Sequence, residues 1–205
     1  MQFSHRIKNN LQIVVGLIGY EARLTGAPSV QGYKAMQARI GAIAELYDLI
    51  SHAGRGGTIM VDSYLRQIAK TMSATLLSAD SDIKIEVDAE TLAIDPDRAM
   101  PFGLLVNELG TNAIKHAFPD GVGRVVLRVT KRGDSVELSV SDNGIGLQDR
   151  EAAKEPGKRG ADYIAIFVRQ LGGTVTMNSA VGTGTTVKIN LPAFLMASDI
   201  AGVAA

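Results

Sequence analysis

The spacing of apolar residues changes once along this chain, and the change sets two different kinds of fold side by side. Ahead of Ala53-Gly54-Arg55-Gly56-Gly57-Thr58 the apolar residues recur three and four apart, whereas behind it several segments alternate apolar with polar. Tyr33, Met36, Ile40, Ile43, Tyr47 and Ile50 form one seam; Ile7, Leu11, Val14 and Ile18 form another. Seams this narrow suit helices packed along one another rather than a helix lying on a broad core. They predict helices over 3–24 and 29–51. Between them, Thr25-Gly26-Ala27-Pro28-Ser29 supplies a helix-stopping glycine and a proline suited to a helix start. A single hairpin leaves part of both seams wet, so two hairpins in a four-helix bundle are expected. That makes the chain a homodimer.

The glycine-rich stretch is the domain boundary. A helical hairpin is expected over 1–53, a second domain over 58–192 and a tail without readable signal over 193–205. Residues 61–77 read as a helix, and Ile83, Ile85 and Val87 alternate with charged neighbours as in a half-buried strand. A helix follows over 97–117. Two strands carry Val125, Leu127, Val129 and Val136, Leu138, Val140 inward, joined by a turn at Lys131-Arg132-Gly133-Asp134. Another helix covers 160–171, and strands cover 174–179 and 184–191. Strands polar at alternate positions keep one wet face, so helices should cover only the other. The expected class is α+β: a helical hairpin, then a sandwich whose mixed, mostly antiparallel sheet is covered on one face.

Composition narrows the chemistry. The 205 residues carry 21 basic and 21 acidic side chains, so no bulk field attracts nucleic acid or an anionic membrane. The absence of cysteine excludes disulfides and thiolate chemistry, and three histidines spread over the chain (His5, His52, His116) argue against a multi-histidine metal site. No apolar run reaches the roughly 20 residues that cross a bilayer, and the first residues lack a signal peptide's apolar stretch. A cytoplasmic fragment of a longer chain is expected, with no membrane contact of its own.

Specific chemistry gathers in the second domain. Within 97–117, Asn107, Glu108, Asn112, Lys115 and His116 interrupt an otherwise apolar helix. Glu108, Asn112 and His116 are four apart and stack on one face, with Lys115 beside them. An amide oxygen for a metal, a cation for phosphate and a carboxylate to orient the attacking group are what a magnesium triphosphate needs. A solvated helix face would explain such residues singly. Downstream, Asp142-Asn143-Gly144-Ile145-Gly146 ends a buried-type strand; its carboxylate can accept the exocyclic amine of adenine, and its glycines let backbone approach a flat ligand. Gly182-Thr183-Gly184-Thr185 opens another strand, with Thr185 able to hydrogen-bond a base. Each string alone is weak, and their order is far more specific.

Taken together the motifs resemble the catalytic core of a bacterial sensor histidine kinase, with the ATP-binding domain shared by gyrase, heat-shock-90, kinase and MutL-type ATPases. The asparagine box is Asn107-Glu-Leu-Gly-Thr-Asn-Ala-Ile-Lys-His-Ala117, and the glycine boxes lie at 142–146 and 182–185. His5-Arg-Ile-Lys-Asn-Asn-Leu-Gln12 resembles the phosphoacceptor box of the second histidine-kinase dimerisation subfamily, related to the His-Trp-Glu subfamily whose own signature is missing. The resemblance implies ATP and Mg2+ as cofactors, with Asn112 the metal ligand and Asp142 the adenine reader. Glu108 holds the position of the base in the ATPase relatives. Asn107, Lys115, His116, Gly144, Gly146, Gly184 and Thr185 complete the nucleotide site, and His5 is the residue phosphorylated. A response-regulator receiver aspartate would be the next acceptor.

Helical phase agrees for His5. At about 100° per residue it falls roughly 160° from the centre of the Phe3–Ile18 apolar face, so it projects outward and its neutral imidazole can attack phosphorus. Two features depart from the family pattern. Arg6 follows His5 where an acidic base often stands, so either Glu108 takes that role or the imidazole needs no dedicated base. Lys158-Arg159-Gly160-Ala161-Asp162-Tyr163 has one glycine where the family has Gly-x-Gly. Its helix start still offers N–H groups and two cations to phosphate, while Asp162 and Tyr163 bring bulk to the short hydrophilic lid at 147–159. That segment keeps a second reading open: a phosphotransfer or scaffold protein with a degenerate ATP-binding domain. An anti-sigma-type serine kinase or gyrase-like ATPase would not need the hairpin.

Overall fold

The computed structural model describes residues 37–44, 59–147 and 159–192. His5, the helix over 3–24, most of that over 29–51, the glycine-rich boundary, Lys158, nearly all of the 147–159 lid and the tail lie outside these residues. Helix α1 covers 37–44. There follow β1 (Ile59–Met60), α2 (Val61–Leu76), β2 (Asp82–Ala89), β3 (Ala93–Ile94), α3 (Pro96–His116), β4 (Val122–Arg132), β5 (Ser135–Asp142), α4 (Arg159–Gln170), β6 (Thr174–Ala180) and β7 (Gly184–Pro192).

Five strands form one sheet in the order β2-β4-β5-β7-β6. Only β2 and β4 run parallel, with Val87 opposite Leu127. Antiparallel neighbours can be joined by a tight turn, as β4 and β5 are at Gly133-Asp134, but a parallel pair needs a crossover. Here the crossover is α3, and it places the asparagine-bearing helix across the middle of the sheet. The expected mixed, mostly antiparallel sheet is thus present.

Its two faces differ as the alternation requires. Val125, Leu127, Val129, Val136, Leu138, Val140, Ile189 and Leu191 are buried under the helices. The opposite face is wet and carries ion pairs, among them Arg128–Asp88 at 2.7 Å and Arg124–Glu86 at 3.5 Å. Exposed pairs contribute at most about 1 kcal/mol each. The wet face therefore keeps the sheet soluble, and the buried face holds the fold together.

Helix α3 starts one residue earlier than the apolar pattern suggests. Asp95 caps it, its carboxylate accepting the Asp97 N–H at 2.7 Å, and Pro96 takes the first helical position, where no N–H is needed. A two-stranded ribbon pairing Ile59 with Ile94 and Met60 with Ala93 was not expected, because two residues per strand show no period.

The largest departure concerns α1. Of its two seam residues, Ile40 is 47% exposed while Ile43 is buried, together with Ala38, Arg39 and Ala42. This face packs on the second domain: the Ala42 carbonyl accepts the Tyr64 hydroxyl from α2 at 3.2 Å. The helix read as a bundle member thus packs through two alanines, one arginine and one of its own seam residues, Ile43.

Candidate nucleotide site

Three segments meet at the C-terminal end of α3. The loop after β5 is stitched to the helix end by the Ile145 N–H donating to the Ala117 carbonyl at 2.9 Å. It is stitched to the β6–β7 turn by Gly182 N–H to the Ile145 carbonyl at 2.8 Å. The asparagine box and both glycine boxes are therefore neighbours, as their order along the chain led one to expect.

Asp142 is the centre of the loop. Its Oδ1 accepts the Gly144 N–H at 3.0 Å and the Thr185 N–H at 3.1 Å, one from each glycine box. These bonds orient the carboxylate and leave Oδ2 as an acceptor edge for a ligand amine. Burial pushes the Asp142 carboxyl above the ordinary aspartate range, and the two backbone donors offset part of that rise. The native carboxyl thus holds its proton more tightly than the unfolded one. Folding stability should fall as pH climbs from the unfolded aspartate range through the raised native value, and be restored on acidification. An amine needs the ionised acceptor, so adenine nucleotide affinity should weaken on acidification earlier than an ordinary aspartate would allow. Fluorescent-nucleotide titrations from neutral to acidic pH measure the affinity and thermal melts over the same range the stability, each with Asp142→Asn as the reference that lacks this carboxyl.

The glycines serve the fold itself, whatever room they also give a ligand. A Cβ on Gly144 would lie 2.2 Å from the Ala117 carbonyl oxygen, and on Gly146 2.1 Å from that of Ala180. Close approach is needed here by the chain to itself. Thr185 is likewise engaged, its hydroxyl 2.9 Å from that of Ser179. Ser179 is a site residue that sequence reading missed. Its hydroxyl oxygen also accepts the Leu147 N–H at 2.8 Å and fixes the last described residue of the loop. A serine late in a polar strand gives no signal in itself.

On α3 the row separates. Asn112 is half-buried, and Lys115 and His116 are exposed beside the loop. Asn107 is different: five residues from Asn112, it sits about 140° around the helix, is 1% exposed, and has neither amide atom hydrogen-bonded. It is not brought to the row with Asn112. Glu108 is 2% exposed, and its two oxygens are taken by Arg39 of α1: Nε donates to Oε1, and Nη2 to Oε2 at 2.9 Å. An arginine on a seam helix is a signal that sequence reading left unused. Its guanidinium also lies 4.8 Å over the ring of Tyr163, which is buried and stacks on Phe167. The bulk of Tyr163 is thus absorbed by the core at the start of α4. Arg159 and Gly160 form the first turn of that helix.

A one-face-covered sheet with an aspartate held between two glycine turns, beside a helix bearing an amide–cation row, defines an ATP-binding domain of the histidine kinase, gyrase and heat-shock-90 type. The comparisons agree. Residues 97–194 match the family model "Histidine kinase-, DNA gyrase B-, and HSP90-like ATPase", and residues 3–76 match the family model "Histidine kinase". Blue-light-activated histidine kinase 2 of Erythrobacter litoralis is 30% identical over 93% of this chain and 56% of its own length. Sensor histidine kinase PdtaS of Mycobacterium tuberculosis is 28% identical over 93% of this chain and 38% of its own. The solved histidine kinase domain of an Erythrobacter litoralis blue-light-activated kinase is 28% identical. It covers 90% of this chain and 86% of that one with a TM-score of 0.72. The chain belongs to the histidine kinase family and spans about half or less of the length of those two curated relatives.

Proposed function

We propose that the chain is the catalytic core of an ATP-dependent protein histidine kinase that phosphorylates its own His5 and passes the phosphoryl group to an aspartate of a response regulator. The observation that carries the reading is the Asp142 carboxylate, held by Gly144 and Thr185 with one oxygen left to accept an adenine amine. Asn112, one turn before His116, has the amide oxygen to ligate a cation, and Lys115 the charge to meet phosphate. A magnesium ion there would neutralise charge on the phosphates. The start of α4 at Arg159 adds N–H groups suited to an anion. A neutral His5 imidazole supplies the nucleophile: its nitrogen bonds to the γ-phosphorus as the bond to the bridging oxygen breaks, and ADP leaves with that electron pair. The exposed Ile40 on α1 supports the bundle seam and hence the homodimer.

Incubation with γ-labelled ATP and magnesium tests this reading. The label should be acid-labile and base-stable. Asn112→Ala should lose it by at least about 100-fold through the metal site, and His5→Ala should lose it while still binding nucleotide. Acid-stable label, or label that survives in His5→Ala, would refute the assignment. The burial of Tyr163 in the core weakens the degenerate-domain alternative.

A further inference from the structure

Glu108 and Asn112 are one helical turn apart, yet their surroundings are opposite. Asn112 is half-exposed; Glu108 is sealed beneath α1 and held at both oxygens by Arg39. A carboxylate next to a phosphate-binding row is chemically suited to activate water. In that step the water oxygen bonds to the γ-phosphorus as the phosphorus–bridging-oxygen bond breaks. ADP departs with the electron pair, and the water proton goes to the carboxylate and then to solvent. For a kinase this step is waste, because water replaces the intended acceptor.

We infer that Arg39 is a positioning residue that withholds Glu108 from water and so protects bound ATP from hydrolysis. The pairing is bidentate, with a cation that stays protonated throughout the working pH range. The same helix that brings Arg39 also excludes solvent, with Ala38, Ala42 and Ile43 buried around it. The Tyr163 ring lies against the guanidinium from α4, so three helices meet at this one side chain. Stability alone is a poor reason for such a pair, since a buried ion pair contributes little beyond apolar side chains of equal volume. The inference rests on the ATP-pocket reading but not on the assignment of His5.

The test measures free phosphate released from magnesium-ATP by the whole 205-residue chain in a His5→Ala background, together with nucleotide affinity. Arg39→Gln should raise phosphate release at saturating ATP by at least about tenfold, with KM for ATP changed by less than about threefold. Arg39→Lys keeps a charge but loses the bidentate grip, and should give a smaller rise. Adding Glu108→Gln to either variant should return the rate to that of the parent, which a merely structural role for Arg39 would not produce. An unchanged rate in Arg39→Gln that still binds nucleotide overturns the inference, as does a raised rate that persists without Glu108. If Arg39→Gln binds no nucleotide, Arg39→Lys decides: a parental rate overturns it and a Glu108-dependent rise supports it. A parent chain that binds no ATP refutes the pocket itself, and the inference falls with it.

Discussion

Asp142→Asn should leave the domain folded and reduce ATP affinity by roughly 30- to 1,000-fold, equivalent to about 2–4 kcal/mol. Asparagine keeps an oxygen where Oδ1 accepts Gly144 and Thr185, so the two glycine turns stay joined. The second oxygen becomes an NH2 group, which sets donor against donor at an adenine amine. The charge whose burial is disfavoured also disappears, so the apo domain should melt no lower than the parent at neutral pH. Asp142→Ala should lose binding as well, but with a lower Tm, because two N–H groups lose their acceptor. Calorimetric nucleotide titration and a thermal melt on the same samples separate recognition from folding. An Asn variant that binds ATP like the parent would remove Asp142 from the adenine site.

Gly184→Ala should be the most destabilising change in the pocket, by about 3 kcal/mol or more. Gly184 has φ +89, where an L side chain is strained, and a Cβ there would stand 2.0 Å from the Asp142 carbonyl oxygen. Relief would push apart the strand end and the turn that hold the Asp142 carboxylate, so ATP binding should fall with stability. Gly182 is the internal control: its φ is +74, but an added Cβ meets nothing within 4 Å. Gly182→Ala should cost only the backbone term, about 1–2 kcal/mol. Urea unfolding of the two variants measures the difference, and equal losses would mean that the contact with Asp142 is not decisive.

The sheet was legible because its signals are local. Val125, Leu127 and Val129 stand at every second position, with Arg124, Arg128 and Thr130 as polar neighbours, and the buried pattern of β4 follows that period. The site was legible in part, since Asp142, Gly144, Gly184 and Thr185 lie in short strings whose order matters, and the fold brings those strings together. What was hidden is long-range. Arg39 and Glu108 are 69 positions apart, and nothing near either residue names the other. What the glycines do for the fold was hidden for a similar reason: the carbonyls of Ala117 and Ala180 that crowd them come from other elements. Asn107 was assigned by membership of a box, while helical phase already set it apart from Asn112.

The hydrogen bonds that fix Asp142 come from Gly144 and Thr185, whereas Glu108 takes its partner from α1, 69 positions away. If the proposed roles hold, nucleotide recognition and the fate of the γ-phosphate rest on different contacts and should be separable by mutation.

The central claim, ATP bound at Asp142 and phosphate delivered to His5, is tested most directly by mapping the phosphorylated residue. The protein would be incubated with magnesium-ATP, digested at neutral to basic pH to preserve a phosphoramidate, and its peptides sequenced by mass spectrometry. The account predicts phosphate on His5 alone, absent from Asp142→Asn. Phosphate on a serine or threonine, or on His5 equally in Asp142→Asn, would contradict it.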